Sequence, residues 1–197
     1  MNFRVVGPTL ELRLPIDADA PALFRLASDP EVTRWFSWGP YETEDDAREY
    51  LDRLPAQRAA GEQLDLLVAH HEHGPIGITG LSEISRRDRR AIVGSWFGRR
   101  WWGTGANGEA KALVAHLAFG PMGLERLGAY TNVEHARSQA ALRGLGFRRE
   151  GVLRRWHRHG DQVHDVAMWS ILRGEWERSR LAEVPVELHG SLPEAFA

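Results

Sequence analysis

The sequence predicts a mixed α+β fold on three observations: segments that alternate apolar and polar residues with a period of two, segments whose apolar residues recur at helical spacing, and a glycine-containing turn where one kind gives way to the other. Leu10, Leu12 and Leu14 alternate with Glu11 and Arg13 and stop at Pro15, which predicts a half-buried first strand. Asp17 or Asp19 can cap a helix running to about residue 27, with Pro21 in its first turn, and a second short helix follows Asp29-Pro30. Ser37-Trp38-Gly39-Pro40 is turn chemistry, after which Thr43 caps a helix over 44–58 that Gly61 closes. The apolar runs 64–69 and 76–84 flank the polar turn His70-His71-Glu72-His73-Gly74 and predict an antiparallel pair.

Residues 91–97 read as a further strand. From Thr104 the period becomes helical, with Ala106, Ala110, Leu113, Val114 and Leu117 on one face. Residues 126–131 read as a strand, and 134–145 as a helix stopped by Gly146. Val163, Asp165, Ala167, Trp169 and Ile171 share one side of a last strand. With neither repeat nor linker before residue 180, a single domain over 1–180 is expected. The aperiodic segment 181–197, with two prolines, is expected as a tail packed on the surface or on a neighbouring subunit.

Composition narrows the function. Hydrophobic residues at 43% and charged residues at 26% are ordinary for a globular chain of 197 residues. A net charge of −2, from 25 basic and 27 acidic residues, argues against a nucleic-acid partner. The absence of cysteine excludes disulfides, thiolate metal sites and a cysteine nucleophile. No apolar run approaches the roughly 18 residues of a membrane span, and residues 1–15 hold no long apolar leader, so a cytoplasmic address and no membrane partner are expected.

The strongest local signal is Arg100-Trp101-Trp102-Gly103-Thr104-Gly105-Ala106-Asn107. Glycine lets a ligand approach the main chain, and the free amides and dipole of a helix start favour phosphate or carboxylate. The spacing fits neither the dinucleotide fingerprint nor a P-loop, which leaves another diphosphate ligand. Taken alone, the same glycines also suit an ordinary strand-to-helix turn.

In its strand-to-helix setting, Arg100-Trp-Trp-Gly103-Thr-Gly105 resembles the Arg/Gln-x-x-Gly-x-Gly/Ala pattern of the GNAT N-acetyltransferases. It is joined by Thr131-Asn-Val-Glu-His-Ala-Arg-Ser138 running on to Gly146-Phe147, by Glu150-Gly151-Val-Leu-Arg154, and by the block from Asp165 to Trp176. The likeness covers roughly residues 9–177 and is greatest to the branch that includes ribosomal-protein N-terminal alanine and serine acetyltransferases. It implies a twisted mixed sheet of about seven strands flanked by helices, with two parallel central strands, 91–97 and 126–131, splayed around the pantetheine arm of acetyl-CoA.

Carried over by residue, the resemblance implies that amides from Trp102 through Gly103, Thr104, Gly105 and Ala106 hold the diphosphate. Arg100 and Asn107 would assist, and the backbone of Trp96 and Phe97 would pair with the pantetheine amides. Ser138 would serve as a general acid for the leaving thiolate. His135 stands where the family usually has asparagine, which puts one pantetheine contact in question. Trp35 and Trp38 would wall the acceptor groove. The implied acceptor is a primary amine, first a protein N-terminal α-amine; a small amine (amino sugar, polyamine or amino acid) or a succinyl donor is the alternative, and a non-catalytic acyl-CoA sensor the second. A homodimer is also implied.

A general base is less legible. Relatives often have glutamate two residues before Gly94, where this chain has Ile92; Glu83, Asp165 and the group His157, His159 and His164 remain as candidates. Glu109 is read as a helix stabiliser, Lys111 as a solvated side chain, and the acidic stretch Glu42, Glu44, Asp45 and Asp46 as either helix-stabilising or attractive to a cationic amine. The turn histidines 70, 71 and 73 lack a carboxylate set, so no metal is expected.

Overall fold

The computed structural model describes residues 3–197; Met1 and Asn2, at the head of the expected 1–180 domain, lie outside the described residues. The chain forms nine strands: β1 (Arg4–Val6), β2 (Leu10–Arg13), β3 (Gln63–His70), β4 (Gly74–Ser85), β5 (Arg90–Phe97), β6 (Arg126–Asn132), β7 (Arg148–His159), β8 (Gln162–Leu172) and β9 (Glu187–His189). The helices are α1 (Ala20–Ala27), α2 (Pro30–Thr33), α3 (Glu44–Ala59), α4 (Ala106–Phe119), α5 (Ala136–Gly144) and α6 (Arg173–Trp176). None is long and apolar enough to cross a membrane, among the described residues.

All strands join one sheet in the order β7-β8-β6-β5-β4-β3-β2-β1-β9. Every pairing is antiparallel except β5 with β6. The parallel ladder has three rungs, Arg90↔Arg126, Ala91↔Leu127 and Ile92↔Gly128. Both strands continue beyond it, to Phe97 and Asn132, without pairing to each other. This is the expected splay.

The count of nine corrects the expected seven or so. β1 and β9 are three residues each, too short for a period-two signal, and β9 comes from the segment read as a tail. That segment lies on its own chain. β9 pairs with β1, and Leu181 and Phe196 are buried in the main core. β7 escaped because its exposed residues, mostly Arg, leave no apolar alternation to read.

Two layers cover the sheet. On one face α1, α2 and α3 enclose Leu23, Leu51, Leu54, Leu67, Ile78 and Trp96; on the other α4 packs with Leu10, Leu12, Leu66, Val93, Phe97 and Leu127. Because side chains alternate along a strand, Val93, Ser95 and Phe97 face α4 while Ile92, Gly94 and Trp96 face the α1–α3 layer. α4 starts at Ala106, two residues later than the period suggested, since Gly105 at φ +97° is its cap. Ten of its fourteen residues are buried rather than one stripe. Trp176 explains this by packing on the far side, its ring 5.1 Å from both His116 and Phe119.

Candidate active site

The split between β5 and β6 opens into a cavity of about 710 Å³, within the usual range for a small-molecule site. From Val93 onward the edge of β5 that faces β6 has no ladder partner. At one end of the split the chain leaves β5 through Gly98 and a 3₁₀ turn (Arg99–Trp101), then enters α4. Gly103 and Gly105 both have positive φ, +78° and +97°, and neither has a heavy atom within 4 Å of where a Cβ would stand. The space in front of the turn is open for a ligand.

The N–H groups of Gly103, Thr104, Gly105, Asn107 and Gly108 have no partner among the described residues. Together with the dipole of a fourteen-residue helix they form an anion-binding nest. The expected run of donors is corrected at both ends. The Trp102 N–H already donates to Arg99 O at 3.2 Å, and that of Ala106 reaches Thr104 Oγ1 at 3.4 Å. Trp102 contributes its ring instead, donating from Nε1 to Phe97 O (2.9 Å) and lying under the Arg137 guanidinium at 3.5 Å. That bond occupies the Phe97 carbonyl expected to serve the ligand. Arg100 stacks on Trp101 at 4.8 Å and does not line the cavity.

Below the nest, Lys111 is buried, not solvated as its position suggested. Its Nζ donates to Ser95 Oγ (2.9 Å), which donates to Asn107 Oδ1 (3.1 Å). Desolvation pulls its pKa down to about 8, and no carboxylate pairs with it among the described residues. The amphipathic pattern missed it because α4 is covered all round. Glu109, two residues earlier, accepts from the N–H groups of Thr9 (2.7 Å) and Leu10 (2.9 Å), which fastens β2 to the helix.

The opposite sheet face carries an aromatic wall. Trp35, Trp38 and Trp96 line the cavity, with Trp38 edge-on to Trp96 at 5.5 Å. His135 stacks on Trp35 at 4.9 Å. Burial, then the charges of Arg137 and Arg34, push its pKa down to about 4, so the ring is neutral near pH 7. Ser138, on the first turn of α5, lines the cavity with a hydroxyl that makes no hydrogen bond among the described residues. Such a hydroxyl is free to donate.

Of the candidate bases, His157 and His159 line the cavity, and burial lowers both pKa values. His164 stacks on His159 from behind at 4.7 Å. Asp165 is committed to structure, accepting from Arg155 N–H at 2.7 Å. Glu83 accepts from the Tyr130 hydroxyl at 3.1 Å. The acidic stretch before α3 is structural: Asp46 accepts from the N–H groups of Glu42 and Thr43, and Arg48 pairs with Glu44 and Asp45. At the β3–β4 turn, Glu72 supplies the carboxylate the sequence reading denied, its donor atom within 4.8 Å of those of His70 and His73.

The model of the acetyltransferase (GNAT) domain matches residues 9–148, well over half the chain. The chain belongs to the GNAT acetyltransferase family. This acetyltransferase is 29% identical over 160 residues to p20 of Bacillus licheniformis, an uncharacterized N-acetyltransferase, covering 80% of this chain and 89% of p20. It is 25% identical over 173 residues to YdaF of Bacillus subtilis (strain 168), provisionally named a ribosomal N-acetyltransferase, covering 86% and 93%. Its fold is that of Mycobacterium smegmatis RimJ, solved in complex with CoA-disulfide, at TM-score 0.80 and 22% identity over 92% of this chain and 90% of that one.

Some lining residues of the acetyltransferase carried no sequence signal. Arg137 lies within a family block but was given no role there, and Trp156 lies on the unread β7. The tryptophan count was the available clue, since six of the eight, Trp35, Trp38, Trp96, Trp101, Trp102 and Trp156, line this one cavity.

Proposed function

We propose that this GNAT acetyltransferase moves an acetyl group from acetyl-CoA to a primary amine, first of all the α-amine of a protein N-terminus. One observation carries the coenzyme assignment: the unpaired amides of Gly103, Thr104, Gly105, Asn107 and Gly108 stand at the mouth of a split between parallel strands. A diphosphate satisfies those amides, and a pantetheine arm matches the unpaired edge of β5 beyond Val93. The coenzyme supplies an activated thioester. The chain supplies main-chain donors, a split that excludes water, and the Ser138 hydroxyl, which gives a proton to the departing sulfur as the amine nitrogen bonds to the acyl carbon.

Support for a protein N-terminus comes from the names of its relatives, YdaF among them, and from an aromatic wall on the sheet face away from α4. The test is thiol release from acetyl-CoA with peptides bearing free N-terminal serine or alanine, beside spermidine and glucosamine, with products weighed by mass spectrometry. Acetylated peptide at the α-amine is the expected product. Acetylation of the small amines alone would overturn the acceptor assignment, and no thiol release with any amine would overturn the activity.

A further inference from the structure

The β3–β4 turn gathers ligating side chains that acyl transfer does not use. His73 N–H donates to His70 O at 3.2 Å, which closes a four-residue turn and brings its first and last residues close together. Gly74, at φ +68°, then lets the chain pair with His70 as β4 begins. His71 is turned away and pins the turn to the chain before β2: its N–H donates to Thr9 O (3.0 Å), and its Nε2 lies 3.1 Å from Gly7 O. The other three, half-buried His70 with exposed Glu72 and His73, form one cluster.

We propose that His70, Glu72 and His73 form a binding site for a divalent transition-metal ion of the zinc class. The site does not rest on the acetyl-transfer reading of the cleft.

The donor set chooses the ion. Two imidazole nitrogens and one carboxylate oxygen suit Zn²⁺, Ni²⁺ or Cu²⁺, whereas Mg²⁺ and Ca²⁺ take oxygen ligands. The three ligand atoms lie within 4.8 Å of one another, and atoms that share one ion at bonds of about 2.0–2.2 Å stand about 3–4 Å apart. Rotation of the exposed Glu72 and His73 side chains closes that difference. His70 is already aimed: its Nδ1 accepts from the Glu72 N–H at 3.1 Å, so the nitrogen lone pair points into the turn. An ion takes the place of that contact, and the N–H of the exposed Glu72 passes to water. Glu72 has no ion pair among the described residues, so no cation occupies its carboxylate.

Trp101 backs both imidazoles. Its ring centroid is 5.0 Å from that of His70 and 5.4 Å from that of His73, and the two imidazoles are 4.7 Å apart. Packing of this kind holds ligands in place before the ion arrives and lowers the ordering cost of binding. Arg100 stacks on the same indole at 4.8 Å. With a guanidinium as neighbour and only three protein ligands, the ion is held at exchangeable strength, its remaining positions filled by water.

The test is calorimetry of the untagged chain, free of coenzyme, with zinc chloride. Zinc should bind with a Kd on the order of 10 μM, where magnesium chloride gives no binding heat. Glu72→Ala and His73→Ala change exposed turn residues and spare the core; each should weaken zinc binding at least about tenfold. Nickel chloride should quench part of the tryptophan fluorescence saturably, and Trp101→Phe should remove that part, because Trp101 is the indole packed on the two imidazoles. No zinc binding to the native chain, unchanged zinc affinity in either alanine variant, or saturable quenching that survives in Trp101→Phe would overturn the site. Zinc binding that the variants weaken, in a chain that releases no thiol from acetyl-CoA, would remove only the acetyl-transfer reading and leave the ion site standing.

Discussion

The two sides of the split are built from different materials. On the α4 side the ligand-facing groups are main-chain amides from Gly103 to Gly108, held by one helix start, with Lys111 buried beneath them. On the opposite side they are side chains brought in by three segments: Trp35 and Trp38 after α2, Tyr130 from β6, and Trp156 and His157 from β7. A main-chain site tolerates many side chains but depends on backbone angles, whereas a side-chain site keeps its backbone and changes with each substitution. Substitutions should therefore fail in different ways on the two sides.

The largest expected effect tests the α4 side. A lysine whose pKa falls from 10.5 to about 8 on burial costs stability while it is charged. Lys111→Met, measured without coenzyme at pH 7, should stabilise the chain by ~1–3 kcal/mol. The sign follows from proton counting. Between about 8 and 10.5 the unfolded chain binds more protons than the folded one, so native stability from this group rises with pH and the advantage of methionine should fade across that window. Melting curves at pH 7 and pH 10 check this; equal gains at both would show that Lys111 is not a desolvated cation.

Gly105→Val tests whether that side works through its backbone. At φ +97° a β-branched residue is strained, and its methyls enter the space left for a ligand. Coenzyme affinity should fall ~10- to 100-fold by calorimetry, by the strain and the lost close approach. Unchanged affinity in a variant with a native circular dichroism spectrum would move the diphosphate elsewhere.

The same contrast explains what was legible. The nest could be read because its chemistry is local: a strand end, two glycines and a helix start lie between Phe97 and Ala106, and the splayed pair followed from the blocks around it. Lys111 was misread because its burial is set by β5, where Ser95 accepts from its Nζ, and not by the pattern of α4 itself. Trp156 was unreadable as a neighbour of Tyr130 because it lies in an irregular stretch of β7 and β8 lies between their strands, and a bulge leaves no signature in a single sequence. The aromatic side of the cavity is where tertiary structure decided more than propensity.

A smaller effect is expected where the two sides meet. Ser138→Ala should lower kcat ~10- to 100-fold with coenzyme affinity within about twofold, as befits a proton donor in the transition state. Equal kcat would leave positioning alone as the source of rate, and a matching loss of affinity would make Ser138 a binding residue.

The smallest effect concerns His135, which joins the sides by stacking on Trp35 beside Arg137. Its pKa falls from 6.5 to about 4, first through desolvation and then through Arg137 and Arg34. Between those values the unfolded chain binds the extra proton, so the contribution to stability is whole above pH 6.5 and lost as the pH drops toward 4. His116, His157 and His159 are shifted the same way, so the native chain should lose melting temperature from pH 7 to pH 5 through several groups at once. The useful quantity is the difference: His135→Asn should lose measurably less over the same interval. Identical slopes for the two proteins would mean that the imidazole is hydrated in the folded chain, and the stacked wall with Trp35 would then open to water.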